Sequence, residues 1–160
     1  MRILGIDPGF AIVGFGIVDF DKYSFSLKTY GTITTEAKTD YNLRLRDIYK
    51  DLTELIEKTK PDVAAIEKLY FNTNQKTAIG VAQARGVILL AAVNAGLTVY
   101  EYTPLQVKSA VTGYGQAEKL QVMEMTRQIL HLKEVPKPDD AADALAIAIA
   151  HAHSAKPITF

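Results

Sequence analysis

The sequence contains no cysteine. That excludes disulfides, thiolate zinc sites and a cysteine nucleophile together, and it fits a reducing interior. Net charge is absent as well, with 18 basic residues against 18 acidic ones. Nucleic-acid binders are usually basic overall, so the balance counts against DNA or RNA unless a cluster of site carboxylates hides a local positive excess. No low-complexity tract occurs, and the first residues lack signal-peptide architecture, which leads to the expectation of a cytoplasmic protein. Long apolar runs are missing too. The most apolar stretch, 78–93, is interrupted by Gln83 and Arg85; it reads as a buried helix, too short to span a bilayer, so no membrane is expected. What remains is sufficient for a fold: 160 residues, 48% apolar and 22% charged, read as a single domain over 1–160 with its own core.

The opening run Ile3-Leu4-Gly5-Ile6 is too short for a helix and ends in Asp7, after which Pro8-Gly9 turns the chain into a second β-rich run over 11–20. A central strand is buried on both faces, so a carboxylate on it is costly unless it meets a cation or donors. Asp7 either closes an Asp-Pro-Gly turn or has such a partner. A third strand follows over 23–34. Asp40 can cap a helix with Leu45, Ile48, Leu52, Leu55 and Ile56 on one face, ended near Pro61. Val63-Ala64-Ala65-Ile66 reads as a buried strand, and it too ends in an acid, Glu67. Helix 77–93, strand 97–102, helix 104–112, helix 117–132 and a last helix from Asp139 or Asp140 to about His153 complete the chain. This order implies a mixed five-stranded sheet flanked by helices, in which the two acid-ended strands have room to be neighbours.

The last helix opens Asp139-Asp140-Ala141-Ala142-Asp143. Residues 140 and 143 share a helix face, and like charges about 4 Å apart cost on the order of 4 kcal/mol at an effective dielectric near 20. Helix capping and the helix dipole would account for these acids singly. Taken with Asp7 and Glu67 they make a set of hard oxygen ligands with no soft ones, which selects Mg²⁺ or Mn²⁺. Two such ions about 3.5 to 4 Å apart activate a water and stabilise the leaving oxygen of a phosphodiester.

Six segments in register, Gly5-Ile6-Asp7-Pro8-Gly9, Ala65-Ile66-Glu67, Gly80 with Gln83-Ala84-Arg85-Gly86, Gln106-Val107-Lys108, Ala117-Glu118-Lys119 and the 140–146 run, resemble the RuvC family of Holliday junction resolvases. The resemblance spans essentially the whole chain. It implies a ribonuclease H-like α/β fold, a homodimer, and nicking of two opposed strands of four-way junction DNA to leave 5′-phosphate and 3′-hydroxyl ends. Mg²⁺ would be the cofactor, two ions per site, with Mn²⁺ substituting. Asp7, Glu67, Asp140 and Asp143 match the family's catalytic, metal-binding acids, and Asp139 falls outside that set as a cap or flanking acid. The branch-migration proteins RuvA and RuvB are implied as partners.

The loop after Glu67 carries Lys68, Tyr70, Phe71 and Lys76, bases and aromatics of the kind that neutralise phosphate and stack on unpaired bases for roughly 1 to 3 kcal/mol each. Tyr70 matches a family aromatic that engages the junction centre, and Phe71 reads as structural. Lys108 and Lys119 match family lysines near the scissile phosphates. Arg85 either pairs across an interface or faces DNA, while the small residues around it suit close approach of a second subunit. His151 and His153 read as surface or tail positions. Three rival functions stand beside it: a ribonuclease H-like nuclease acting on hybrids or transposon ends, which would use the acids identically; a non-catalytic junction-binding module; and an actin-like or sugar-kinase ATPase, which shares the Gly-Ile-Asp-x-Gly loop but for which the chain is too short.

Overall fold

The computed structural model describes residues 1–69 and 75–154, without the side chains of residues 75 and 76. The first strand, β1 (Arg2–Asp7), is buried on both faces, and its alternation decides what each face meets. Leu4 and Ile6 enter one core cluster and Ile3 the other. β1 pairs antiparallel with β2 (Ile12–Asp21), which pairs antiparallel with β3 (Ser24–Thr34). On its other side β1 pairs parallel with β4 (Val63–Glu67), and β4 with β5 (Thr98–Tyr102). The sheet order is therefore β3-β2-β1-β4-β5, the mixed five-stranded sheet expected from the sequence, with the two acid-ended strands side by side.

Parallel neighbours need crossover connections, and the helices supply them. Between β3 and β4 runs α1 (Tyr41–Thr59), capped by Asp40, whose side chain accepts the Asn42 N–H at 2.9 Å. Between β4 and β5 runs α2 (Gln75–Asn94). These two cover the Leu4 face, burying Ile48, Leu52 and Ile88 against Ile6, Val13, Ile17 and Ile66. The opposite face is covered by α3 (Pro104–Thr112), α4 (Lys119–Ile129) and α5 (Asp139–Ser154). α5 is buried from Ala141 to Ala152 except at Asp143, which accounts for its nearly all-alanine and isoleucine composition.

Glycines set how closely α5 lies on the sheet. A Cβ on Gly5 would stand 2.0 Å from the Ala144 carbonyl oxygen, and one on Gly14 only 1.9 Å from that of Asp140. Any larger residue at either place would push the helix away.

Two expectations need correction. α2 starts two residues earlier than predicted and is not a buried helix: only 22% of its apolar span Thr77–Asn94 is buried. That span has the length and composition to cross a membrane, contrary to the sequence reading. Within the fold its inner face packs on α1 and the sheet, and its Arg85 pairs with Glu101 of β5 at 2.5 Å. Ile79, Gln83, Gly86, Leu90 and Val93 form an exposed stripe at helical spacing. The second correction concerns His151, which is 2% exposed rather than at the surface. Its Nδ1 lies 2.8 Å from the Tyr102 hydroxyl, its ring lies 4.5 Å from that of Tyr100, and burial holds the imidazole below its ordinary pKa. His153 is exposed, as expected.

Candidate active site

Side-chain alternation places the two strand-end acids on one face. Gly5 faces α5, so Asp7, two residues further, faces it as well. On β4, Ala65 belongs to the cluster on the α5 side, and Glu67 follows it by two. Ile6 is in register with Ile66, so both strands end in their carboxylates at the same level. Asp7 is also in register with Gly14, and Gly14 is where the Asp140 backbone rests on the sheet. The first turn of α5 is thereby seated beside Asp7, with Asp140 and Asp143 on it. The backbone N–H groups of Ala141 and Ala142 are satisfied by the Pro138 carbonyl at 3.1 and 3.2 Å, so Asp139 stands inside the first turn as a flanking acid.

The electrostatics follow from gathering acids on a partly buried surface. The Asp7 carboxyl is pushed from 3.8 up to about 8, first by burial and then by the negative charge of Glu67, Asp143 and Asp140. Glu67 is raised by burial and by Asp143. Asp143 is raised by burial, against the opposing pull of Lys119. Lys119 is the cation of the site. It opens α4, whose start is fixed by the Gln121 side chain accepting the Glu118 N–H at 2.8 Å, and its Nζ reaches Asp143 at 3.0 Å and Asp139 at 3.3 Å. Burial pulls the Lys119 ammonium down, and its bonds to Asp143 and Asp139 more than offset that, leaving it raised.

The structure thus gathers Asp7, Glu67, Asp140, Asp143 and Lys119 at one end of the sheet. As the side chains stand, no three acids or histidines among the described residues converge closely enough to grip an ion. Lys108 lies half-buried on α3, which packs against α5, and Lys68 is exposed directly after Glu67, its N–H bonded to the Tyr102 carbonyl at 2.8 Å. Tyr70 and Phe71 lie outside the described residues, as does the side chain of Lys76. The sequence reading missed that Asp139 shares Lys119 with Asp143, and that Arg85 is tied to Glu101 within the chain. Neither pairing has a sequence signal, because its members sit 20 and 16 residues apart on different elements.

Comparison with known proteins gives a consistent pattern. Residues 3–151 match the family model described as crossover junction endodeoxyribonuclease RuvC. A protein of that name from Brevibacillus brevis is 60% identical over 152 residues, covering 95% of this chain and 92% of its own. The Thermus thermophilus RuvC structure superposes with a TM-score of 0.89 at 37% identity, covering 96% of this chain and 94% of that one. A second structure, of T. thermophilus RuvC in complex with Holliday junction substrate, gives a TM-score of 0.86 at 36% identity, with 96% and 93% covered.

Proposed function

The chain belongs to the RuvC family of crossover junction endodeoxyribonucleases, and we propose that Asp7, Glu67, Asp140 and Asp143 are the acids with which it resolves four-way DNA junctions. One observation supports the assignment above the rest. Carboxylates from β1, β4 and α5 gather at one end of the sheet, and burial with mutual repulsion lifts Asp7 to about 8. A cation taken up among these acids would offset both the burial and the repulsion.

The donor set fits a divalent ion of the magnesium type. All four candidate ligands are carboxylate oxygens, with no sulfur or imidazole beside them. These residues would hold two Mg²⁺ ions, or Mn²⁺ in their place. When bound, such a pair supplies an activated water and stabilises the charge on the leaving oxygen. The chain's own part is to bind and orient. Asp7 is fixed by the register of a central strand and Glu67 by the neighbouring one; Asp140 and Asp143 ride on a helix whose backbone lies directly on Gly5 and Gly14, where there is no room for a Cβ. Lys119, already held by Asp143, offsets the acidic charge where a phosphodiester must approach. Water oxygen bonds to phosphorus as the bond to the 3′-oxygen breaks, leaving 5′-phosphate and 3′-hydroxyl ends.

Around this centre Lys68, Lys76 and Lys108 neutralise phosphates of the arms, and Tyr70 stacks on an unpaired base at the junction centre. The whole chain acts as one nuclease domain, in the cytoplasm. Two copies associate through the exposed stripe of α2, which would present two sites to two equivalent strands, with RuvA and RuvB as partners. A labelled synthetic four-way junction, offered in Mg²⁺ beside linear duplex and RNA/DNA hybrid, tests the reading. Paired symmetrical nicks in the junction alone, sealed by ligase, are expected. Cutting of the hybrid or duplex in preference would contradict it.

A further inference from the structure

The loop after β1 is joined to a cation that the carboxylate site does not use. Arg44 lies half-buried in the first turn of α1. Its Nε–H donates to Thr35 Oγ1 at 2.9 Å, and that hydroxyl donates to the Phe10 carbonyl at 2.8 Å. The guanidinium carbon stands 4.0 Å from the centroid of the Phe10 ring, and Phe10 stacks on Tyr41 with centroids 4.5 Å apart. Tyr41 is itself tied to the Gln83 side chain of α2. The guanidinium is therefore fixed in place by a ring and a hydroxyl, a rigid setting for a long side chain.

Its charge, by contrast, is unanswered. The chain has five arginines. Arg2, Arg46, Arg85 and Arg127 each meet a carboxylate, at 2.8, 2.8, 2.5 and 2.7 Å. Among the described residues Arg44 meets none, and its two terminal nitrogens have no hydrogen-bond acceptor. Neither terminal nitrogen is a buried unpartnered atom, so both are open to an anion that arrives from outside. An oriented fork with both terminal nitrogens unused matches the oxygens of a phosphodiester. Phe10 follows Asp7 by three residues, a stretch of chain that reaches at most about 11 Å.

Resting on the resolvase reading, we propose that Arg44 is a phosphate-positioning residue. Its guanidinium grips a backbone phosphodiester of the DNA strand within a few nucleotides of the cleaved bond, and Phe10 and Thr35 hold the fork in its orientation. A purely structural brace for the loop would affect stability and leave the ionic part of DNA binding alone.

The test is the affinity of the full chain for a labelled four-way junction, without divalent cation so that nothing is cut, across a salt series. Each phosphate contact contributes about 0.9 to the slope of log affinity against log salt. Arg44→Gln removes one phosphate contact from each of the two copies on a junction, and is expected to lower affinity at least about tenfold near 0.1 M salt and to make the slope shallower by about two. Arg44→Lys keeps the charge without the fork, and is expected to keep the slope and lose about threefold in affinity. An unchanged slope in Arg44→Gln, or wild-type affinity of Arg44→Lys at every salt, overturns the inference alone. A wild-type protein that ignores the junction overturns the resolvase reading and this inference with it.

Discussion

Asp7 is the residue on which the account turns, because its environment makes a measurable promise. Its carboxyl is pushed from the ordinary 3.8 to about 8 in the fold, first by burial and then by Glu67, Asp143 and Asp140. A raised folded-state value means stability that is fully present below pH 3.8 and lost as pH rises through about 8. Glu67 and Asp143 are raised as well and act in the same direction. The metal-free protein is therefore expected to lose melting temperature between about pH 4 and pH 8, with Asp7→Asn giving a flatter profile over that window. Coincident profiles from differential scanning calorimetry would show that Asp7 is not held under this strain. Saturating Mg²⁺ is expected to raise the melting temperature by relieving the same repulsion, and no shift would count against a site that takes up the ion.

At the level of elements, the decisive contact is α5 on β1 and β2. Gly14→Ala would drive a methyl group to 1.9 Å from the Asp140 carbonyl oxygen, so the helix start has to move. The expected loss is about 1–3 kcal/mol or more by urea denaturation, together with loss of cleavage, because Asp140 and Asp143 move with the helix. A Gly14→Ala protein with wild-type stability would contradict the packing. Much of this layer was legible in the sequence. The strands betrayed themselves by short apolar runs ending in acids, α3 by Pro104 and Gly113, and α1 by Asp40 and its apolar face. The four candidate acids were legible only as a set: a turn, a cap or the helix dipole accounts for each one singly, and it is their occurrence together at element ends that singles them out. α2 was misread because its alanines, glycines and aliphatics run round the whole helix, so composition gives no inner or outer face. His151 was misread because a polar residue near a helix's end looks exposed. Only the tertiary fold brings Tyr100 and Tyr102 to it.

The whole molecule combines an acid-lined site with an apolar stripe that the single chain leaves open. Ile79, Leu90 and Val93 are 68, 53 and 61% exposed on α2, with Gly86 between them allowing close approach. If two copies join there, Leu90→Glu with Val93→Glu is expected to turn a dimer into a monomer in sedimentation equilibrium while leaving far-ultraviolet circular dichroism unchanged. A double variant that stays dimeric would place the interface elsewhere. The central claim is that four carboxylates form one metal-dependent centre for cutting junctions, and a single assay addresses it. Cleavage of a four-way junction in Mg²⁺ would be measured for the wild type, Asp7→Asn, Glu67→Gln, Asp140→Asn and Asp143→Asn, with junction affinity measured in parallel. Each variant is expected to lose roughly two to four decades of rate, equivalent to about 3–5 kcal/mol of transition-state stabilisation, and to bind the junction at least as well as the wild type, since carboxylates repel phosphate. Any one of the four that cuts at the wild-type rate, or that loses affinity as completely as activity, would contradict the assignment.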